Sequence, residues 1–187
     1  MGLNSLQFLL YTLINVFCFV LFLRMWFQFC RVDFYNPLSQ TLVKITQPVL
    51  SPLQKIIPTV KNINLAAILL IIVLGALKYP LLNAIGTPVM ATSVENYAII
   101  GVLHAVRTAG EALLYILFIG AIMSWFNRGA NPLQYTLNQL SEPLLAPIRR
   151  ILPNTGMIDF SPMLLAFVLF YGNRVLYDLL GQFWALA

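Results

Sequence analysis

The chain has 187 residues, of which 60% are apolar and only 9% charged. A water-soluble domain carries about 25% charged residues, so this sequence has too little charge to cover a soluble surface and too much apolar character for disorder. The net charge of +5 and a mean hydropathy of +0.83 describe an integral membrane protein.

A helix crosses the hydrocarbon core with about 20 mostly apolar residues. The first such run is Leu6 to Phe27, interrupted only by Thr12, Asn15 and Arg24. Met1-Gly2-Leu3-Asn4-Ser5 before it has no basic region and no small-residue cleavage site follows it, so the run reads as an uncleaved first span. Cys18 lies inside it and Cys30 just beyond. Twelve residues of helix set them roughly 18 Å apart, too far for a disulfide, and both read as ordinary apolar thiols. The second span is Ile63 to Leu82. The third has an apolar core from Ala112 to Phe126, too short alone, and must extend upstream past Glu111 and Arg107. The fourth runs from Phe160 to about Leu180 and carries Asn173, Arg174 and Asp178. No proline falls mid-span and barrel-type alternation is absent, which predicts an α-helical bundle.

Charge orients the spans. The linker from Val32 to Asn62, with the end of the first span, holds Arg24, Arg31, Lys44, Lys55 and Lys61 against Asp33. The linker after the third span holds Arg128, Arg149 and Arg150 against Glu142 and Asp159. The Asn83–Tyr97 loop has Glu95 and no Lys or Arg. The positive-inside rule places both basic linkers in the cytoplasm and both termini outside, with Trp26 and Trp125 as interfacial anchors and Arg24 snorkelling.

The linkers also reveal an internal repeat. Asn36-Pro37-Leu38 recurs as Asn131-Pro132-Leu133, and in the same register Pro48, Pro52 and Pro58 match Pro143, Pro147 and Pro153. Ten of the 23 positions from Asn36 to Pro58 are identical to their counterparts 95 residues on, without a gap. The predicted units are residues 1–82, a connecting loop 83–97, and residues 98–187. Each unit is span, linker, span, so the two repeats are parallel. Asn36 and Asn131 cap helices whose first residues are Pro37 and Pro132. Leu38, Leu42 and Ile45, and in the second copy Leu133, Leu137 and Leu140, form apolar stripes. Pro48 and Pro143 are expected to stop these helices, with a further turn starting at Pro52 and Pro147. Two placements stay open. The linkers lie along the inner leaflet with Lys55, Arg149 and Arg150 toward lipid phosphates, or they pack against the bundle.

The segments Arg31 to Pro37 and Ile45 to Pro58, repeated as Asn131 to Pro153, resemble the YggT family of small bacterial inner-membrane proteins, in its two-module form. The resemblance covers essentially the whole chain. It implies a multi-pass inner-membrane location and an association with osmotic-shock protection and with ion uptake. Plastid and Gram-positive relatives are linked to division, nucleoid organisation and membrane-complex assembly. The family has no assigned catalytic residues to carry over.

Ionisable groups inside spans are functional candidates. Counted at 1.5 Å per residue, Lys78 and Glu111 lie roughly 22 Å and Arg174 roughly 21 Å from the cytoplasmic ends of their spans, all in the outer half at one level. Arg107–Glu111 and Arg174–Asp178 are i,i+4 pairs, and His104 shares the face of the first. They read either as intrahelical pairs that snorkel outward or as an ion or substrate site. No zinc, haem or other cofactor spacing occurs, and no enzyme motif. Gly101, Gly110 and Gly120 offer small faces without a strict GxxxG pattern. The positive-inside rule already explains the net charge, so no nucleic-acid partner is expected. The partners in view are the bilayer, a second copy, and other membrane proteins. The function expected is a non-catalytic membrane scaffold or assembly factor in osmotic protection, with a component of potassium uptake as the alternative.

Overall fold

The computed structural model describes residues 3–90, 92–126, 131–152 and 159–187; of Ser124, Trp125 and Phe126 only the backbone is described. Pro153, Arg128 and the side chain of Trp125 therefore lie outside the described residues. Four helices in it are long and apolar enough to cross a membrane: α1 (Ser5–Phe29), α3 (Leu65–Ile85), α4 (Val94–Phe126) and α6 (Ser161–Leu180). Between them lie the linker helices α2 (Pro37–Gln54) and α5 (Pro132–Ile151), a hairpin of β1 (Thr59–Val60) and β2 (Ile63–Asn64), and a terminal helix α7 (Gln182–Leu186).

The helix starts follow from local chemistry. Asn4 Oδ1 accepts the backbone N–H of Gln7 at 2.8 Å, and Gln7 Oε1 accepts that of Asn4 at 3.0 Å. This reciprocal cap fixes the start of α1. Gln7 Nε2 then donates to the carbonyls of Leu82 (3.0 Å) and Thr87 (2.7 Å), tying the start of α1 to the end of α3. Asn36 and Asn131 cap α2 and α5 as the repeat predicts, each accepting at 2.9 Å from the backbone N–H two residues on, ahead of Pro37 and Pro132.

The linker prolines do not stop the helices. α2 continues through Pro48 and Pro52, and α5 through Pro143 and Pro147. Each proline removes one N–H and frees the carbonyl four residues earlier. All four prolines sit on the exposed side of their helices, and the helices continue through them.

The two linkers then settle differently. In α5 the stripe turns inward: Leu137 and Leu140 are buried against Phe27 of α1 and Ile116 of α4, and Leu145 is buried with Leu117 and Leu165. In α2 the buried residues are Ser39, Thr46 and Leu50, while Leu38, Ile45 and Val49 are exposed. The expected stripe of α2 is thus split: Leu42 packs toward Phe27 and Leu140, while Leu38 and Ile45 are exposed. The copies meet where Asn36 Nδ2 donates to Thr136 Oγ1 at 2.7 Å.

The core lies where α1, α3 and α4 cross, around Cys18, Leu21, Ala66, Ala67, Ile71 and Ala112. Lipid is as apolar as leucine, so membrane helices associate through close packing by small residues. A Cβ on Gly101 would collide with the backbone of Ile72 and Ala76, and one on Gly75 would stand 2.7 Å from His104 Cβ. Gly101 therefore serves the α3–α4 crossing and is not free to make a face for another chain. Trp26 is also engaged internally: its indole N–H donates to the carbonyl of Leu140 at 3.0 Å and its ring stacks on Phe22 and Phe29.

Candidate functional site

The polar groups of the spans gather at the end of the bundle away from the linkers, and α7 organises them. α6 ends at Gly181, whose φ of +53° suits a residue without Cβ. The chain turns back, and Trp184 is buried with its indole N–H donating to Asn173 Oδ1 at 2.9 Å. The last carbonyls of a helix have no partner within it and carry partial negative charge. Here cations and a phenol supply the donors. Arg107 Nη1 donates to the carbonyls of Trp184 (3.1 Å) and Ala185 (3.4 Å), the Tyr79 hydroxyl to that of Leu186 (3.0 Å), and Lys78 Nζ to that of Ala187 (3.3 Å).

Lys78 is fully buried. Its ammonium lies 5.1 Å from the ring centre of Tyr11 and 5.3 Å from that of Tyr79, distances at which ring faces attract cations. His104 is buried against Gly75 beside them. Lys78 and Arg107 are thus brought together, by a terminal helix that sequence reasoning passed over. Its signal is the glycine after Leu180 followed by Phe183, Trp184 and Leu186.

The remaining candidates divide. Glu111 pairs with Arg107 at 2.9 Å and is half exposed. Arg174 and Asp178 pair at 3.3 Å on an exposed face of α6, with Arg174 over the ring of Tyr177, and join no other charged group of this site. Lys55 and Arg150 are exposed. Arg149 is held between Glu142 (2.7 Å) and Asp159 (2.8 Å). Burial works against the charges of Arg149 and Asp159. The two carboxylates outweigh it for Arg149, raising the guanidinium above its ordinary range, and the Ser161 N–H with Arg149 outweighs it for Asp159, lowering the carboxyl. Arg24 does not snorkel freely: it donates to Thr46 Oγ1 (2.6 Å) and Gln47 Oε1 (2.5 Å) of α2.

Chemically the α7 site is a set of cation and phenol donors directed at backbone oxygens. Among the described residues no cluster of His, Cys, Asp or Glu could hold a metal ion.

Comparison with known proteins follows the same division into two copies. The family model described as CCB3/YggT matches residues 3–85 and 99–180. An uncharacterized protein of Haemophilus influenzae is 50% identical over 187 residues, spanning 100% of this chain and 99% of that protein. An uncharacterized protein from the proC 3′ region of Vibrio alginolyticus is 42% identical over 181 residues (97% and 98% of the two chains). The uncharacterized protein YggT of Escherichia coli K12 is 42% identical over 170 residues (91% and 88%). No solved structure matches.

Proposed function

This chain belongs to the CCB3/YggT family, and we propose that it is a non-catalytic scaffold of the bacterial inner membrane that supports the envelope or assembles other membrane proteins under osmotic stress. The observation that carries the reading is the way the polar site braces α7. Lys78, fully buried, and Arg107 beside it donate to backbone oxygens at the end of α7. A transport site needs exchangeable ligands facing a path, and a cation path needs oxygen ligands without competing ammonium and guanidinium groups. Donors committed to backbone carbonyls hold a bundle together instead. The osmotic context comes from the family resemblance. The charge asymmetry of the linkers supports a topology with both termini on the extracytoplasmic side.

Salt upshift of cells lacking the protein separates this reading from potassium uptake. The scaffold predicts reduced survival with an unchanged initial rate of potassium entry, and rescue by Glu111→Gln at normal membrane abundance. A fall in the potassium entry rate, restored by the wild type but not by Glu111→Gln, would overturn it in favour of uptake.

A further inference from the structure

At the linker end a pocket of about 590 Å³ opens between the last turn of α1, the turn that follows it and the inner side of α2. Its charged lining residues are Arg24 and Arg31, and no carboxylate lines it. Among the described residues neither arginine makes an ion pair. Arg24 is half-buried, and its two recorded partners, the Thr46 hydroxyl and the Gln47 amide oxygen, are both neutral. A guanidinium has five N–H donors, so these partners orient it and leave donors over. Ser39 also lines the pocket; it is 7% exposed and its hydroxyl has no hydrogen-bond partner among the described residues. A half-buried cation without a counter-charge and a buried hydroxyl without a partner are both unfavourable alone. One anionic group with several acceptor oxygens would satisfy both.

The mouth of the pocket is fixed. Arg31 has a φ of +54°, and the carbonyls of Cys30 and Arg31 accept from Gln139 Nε2 at 3.3 and 3.2 Å. The second copy thus holds the turn that presents Arg31. Phe27, Leu42 and Val43 give the pocket apolar walls. Arg24 stands five residues before the end of α1, about 7.5 Å along the axis, near headgroup level if α1 spans the bilayer. Beside it α2 exposes Leu38, Ile45 and Val49.

We propose that this pocket binds the phosphate of an anionic phospholipid, with Arg24, Arg31 and Ser39 on the phosphate oxygens and the acyl region along the apolar walls. Guanidinium forks suit phosphate geometry, and the same chemistry would accept free phosphate. The proposal is independent of the scaffold reading, because it concerns the opposite end of the bundle.

The test is native mass spectrometry of the full chain in detergent, titrated with phosphatidylglycerol or phosphatidylcholine, reading Kd for the first bound lipid. Phosphatidylglycerol should bind about tenfold or more tightly than phosphatidylcholine. Arg24→Gln, Arg31→Gln and Ser39→Ala should each weaken phosphatidylglycerol by about fivefold. The double change Lys55→Gln with Arg150→Gln removes exposed cations outside the pocket and should change it by less than about twofold. Arg31 is exposed in a turn, so its variant keeps the test alive if Arg24→Gln fails to fold. Equal affinity for the two lipids, or an equal loss in the double control, would overturn the site. Displacement of phosphatidylglycerol by excess inorganic phosphate would overturn the lipid as occupant and assign the pocket to the free ion; retention supports the lipid.

Discussion

Replacing Gly101 by alanine puts the α3–α4 crossing to a direct test. The new Cβ would stand 2.9 Å from Ala76 Cβ and 2.9 Å from its backbone N, with the Ile72 carbonyl oxygen nearer still. Ordinary carbon contacts lie at about 3.5–4.0 Å, so the helices must part by roughly 1 Å along a contact made of backbone, which cannot rotate away. A gap of that size forfeits a quarter to a half of the dispersion energy of each pair it opens, and overpacking of this kind costs about 1–3 kcal/mol. Alanine also raises helix propensity by about 1 kcal/mol over glycine, which masks part of the loss. Gly110→Ala in the same helix supplies the correction, because nothing lies within 4 Å of a Cβ there. Propensity cancels between the two variants, so Gly101→Ala should be less stable than Gly110→Ala by about 1–3 kcal/mol. Reversible unfolding of the purified proteins in mixed micelles, followed by tryptophan fluorescence, reads the difference. Equal stability, or a more stable Gly101→Ala, would refute the close crossing.

Two further substitutions probe the ends of the bundle. Trp184→Phe keeps a ring in the buried position and removes only the N–H given to Asn173, so it should cost about 1 kcal/mol; hydrogen exchange should quicken in residues 182–187 and not in α1, and uniform quickening would count against a locally held α7. Asp159 has its carboxyl lowered below the ordinary value of 3.8, so its contribution is complete above that value and is lost as pH falls through the lower folded one; melting temperatures across acid pH should fall less steeply for Asp159→Asn than for the wild type, and parallel curves would show that the Arg149–Asp159–Ser161 contacts carry no linkage.

The spans were legible because apolar runs of membrane length have few other readings. Extension of the third past Glu111 and Arg107 followed from length alone, and α4 does run from Val94. The repeat was legible because Asn-Pro starts a helix by known capping chemistry. The prolines misled for a physical reason: a proline inside a helix costs one hydrogen bond and a ring clash, which kink a helix as readily as end it, and α2 and α5 continue through theirs. The hairpin escaped because both turn residues, Lys61 and Asn62, take positive φ (48° and 68°), and only the asparagine advertises it. Within the candidate site the i,i+4 pairs could be read along one helix. Depth along the spans already grouped Lys78 with Arg107 and Glu111, but what joins Lys78 to Arg107 could not be read, since it is a row of backbone oxygens some 80–110 residues away in sequence, and these leave no residue-type signal.

The two copies show what such a repeat holds constant and what it releases. Leu50 and its counterpart Leu145 are buried in both copies, and so are Thr46 and Ser141, whose hydroxyls each donate to the carbonyl four residues back. Register and inward hydroxyl are therefore common to the module. What differs is the neighbour on the preceding span. Two residues before Trp26 stands Arg24, which Thr46 and Gln47 engage; two residues before Trp125 the chain has Met123. The difference extends to the linker faces, since Ile45 is exposed where its counterpart Leu140 is buried. Arg24 takes polar partners from the inner side of α2, whose Leu42, Leu50 and Leu53 still pack inward while Ile45 and Val49 are exposed. The pocket with two arginines thus occurs in the copy whose linker leaves Ile45 exposed, and the other copy braces it through Gln139.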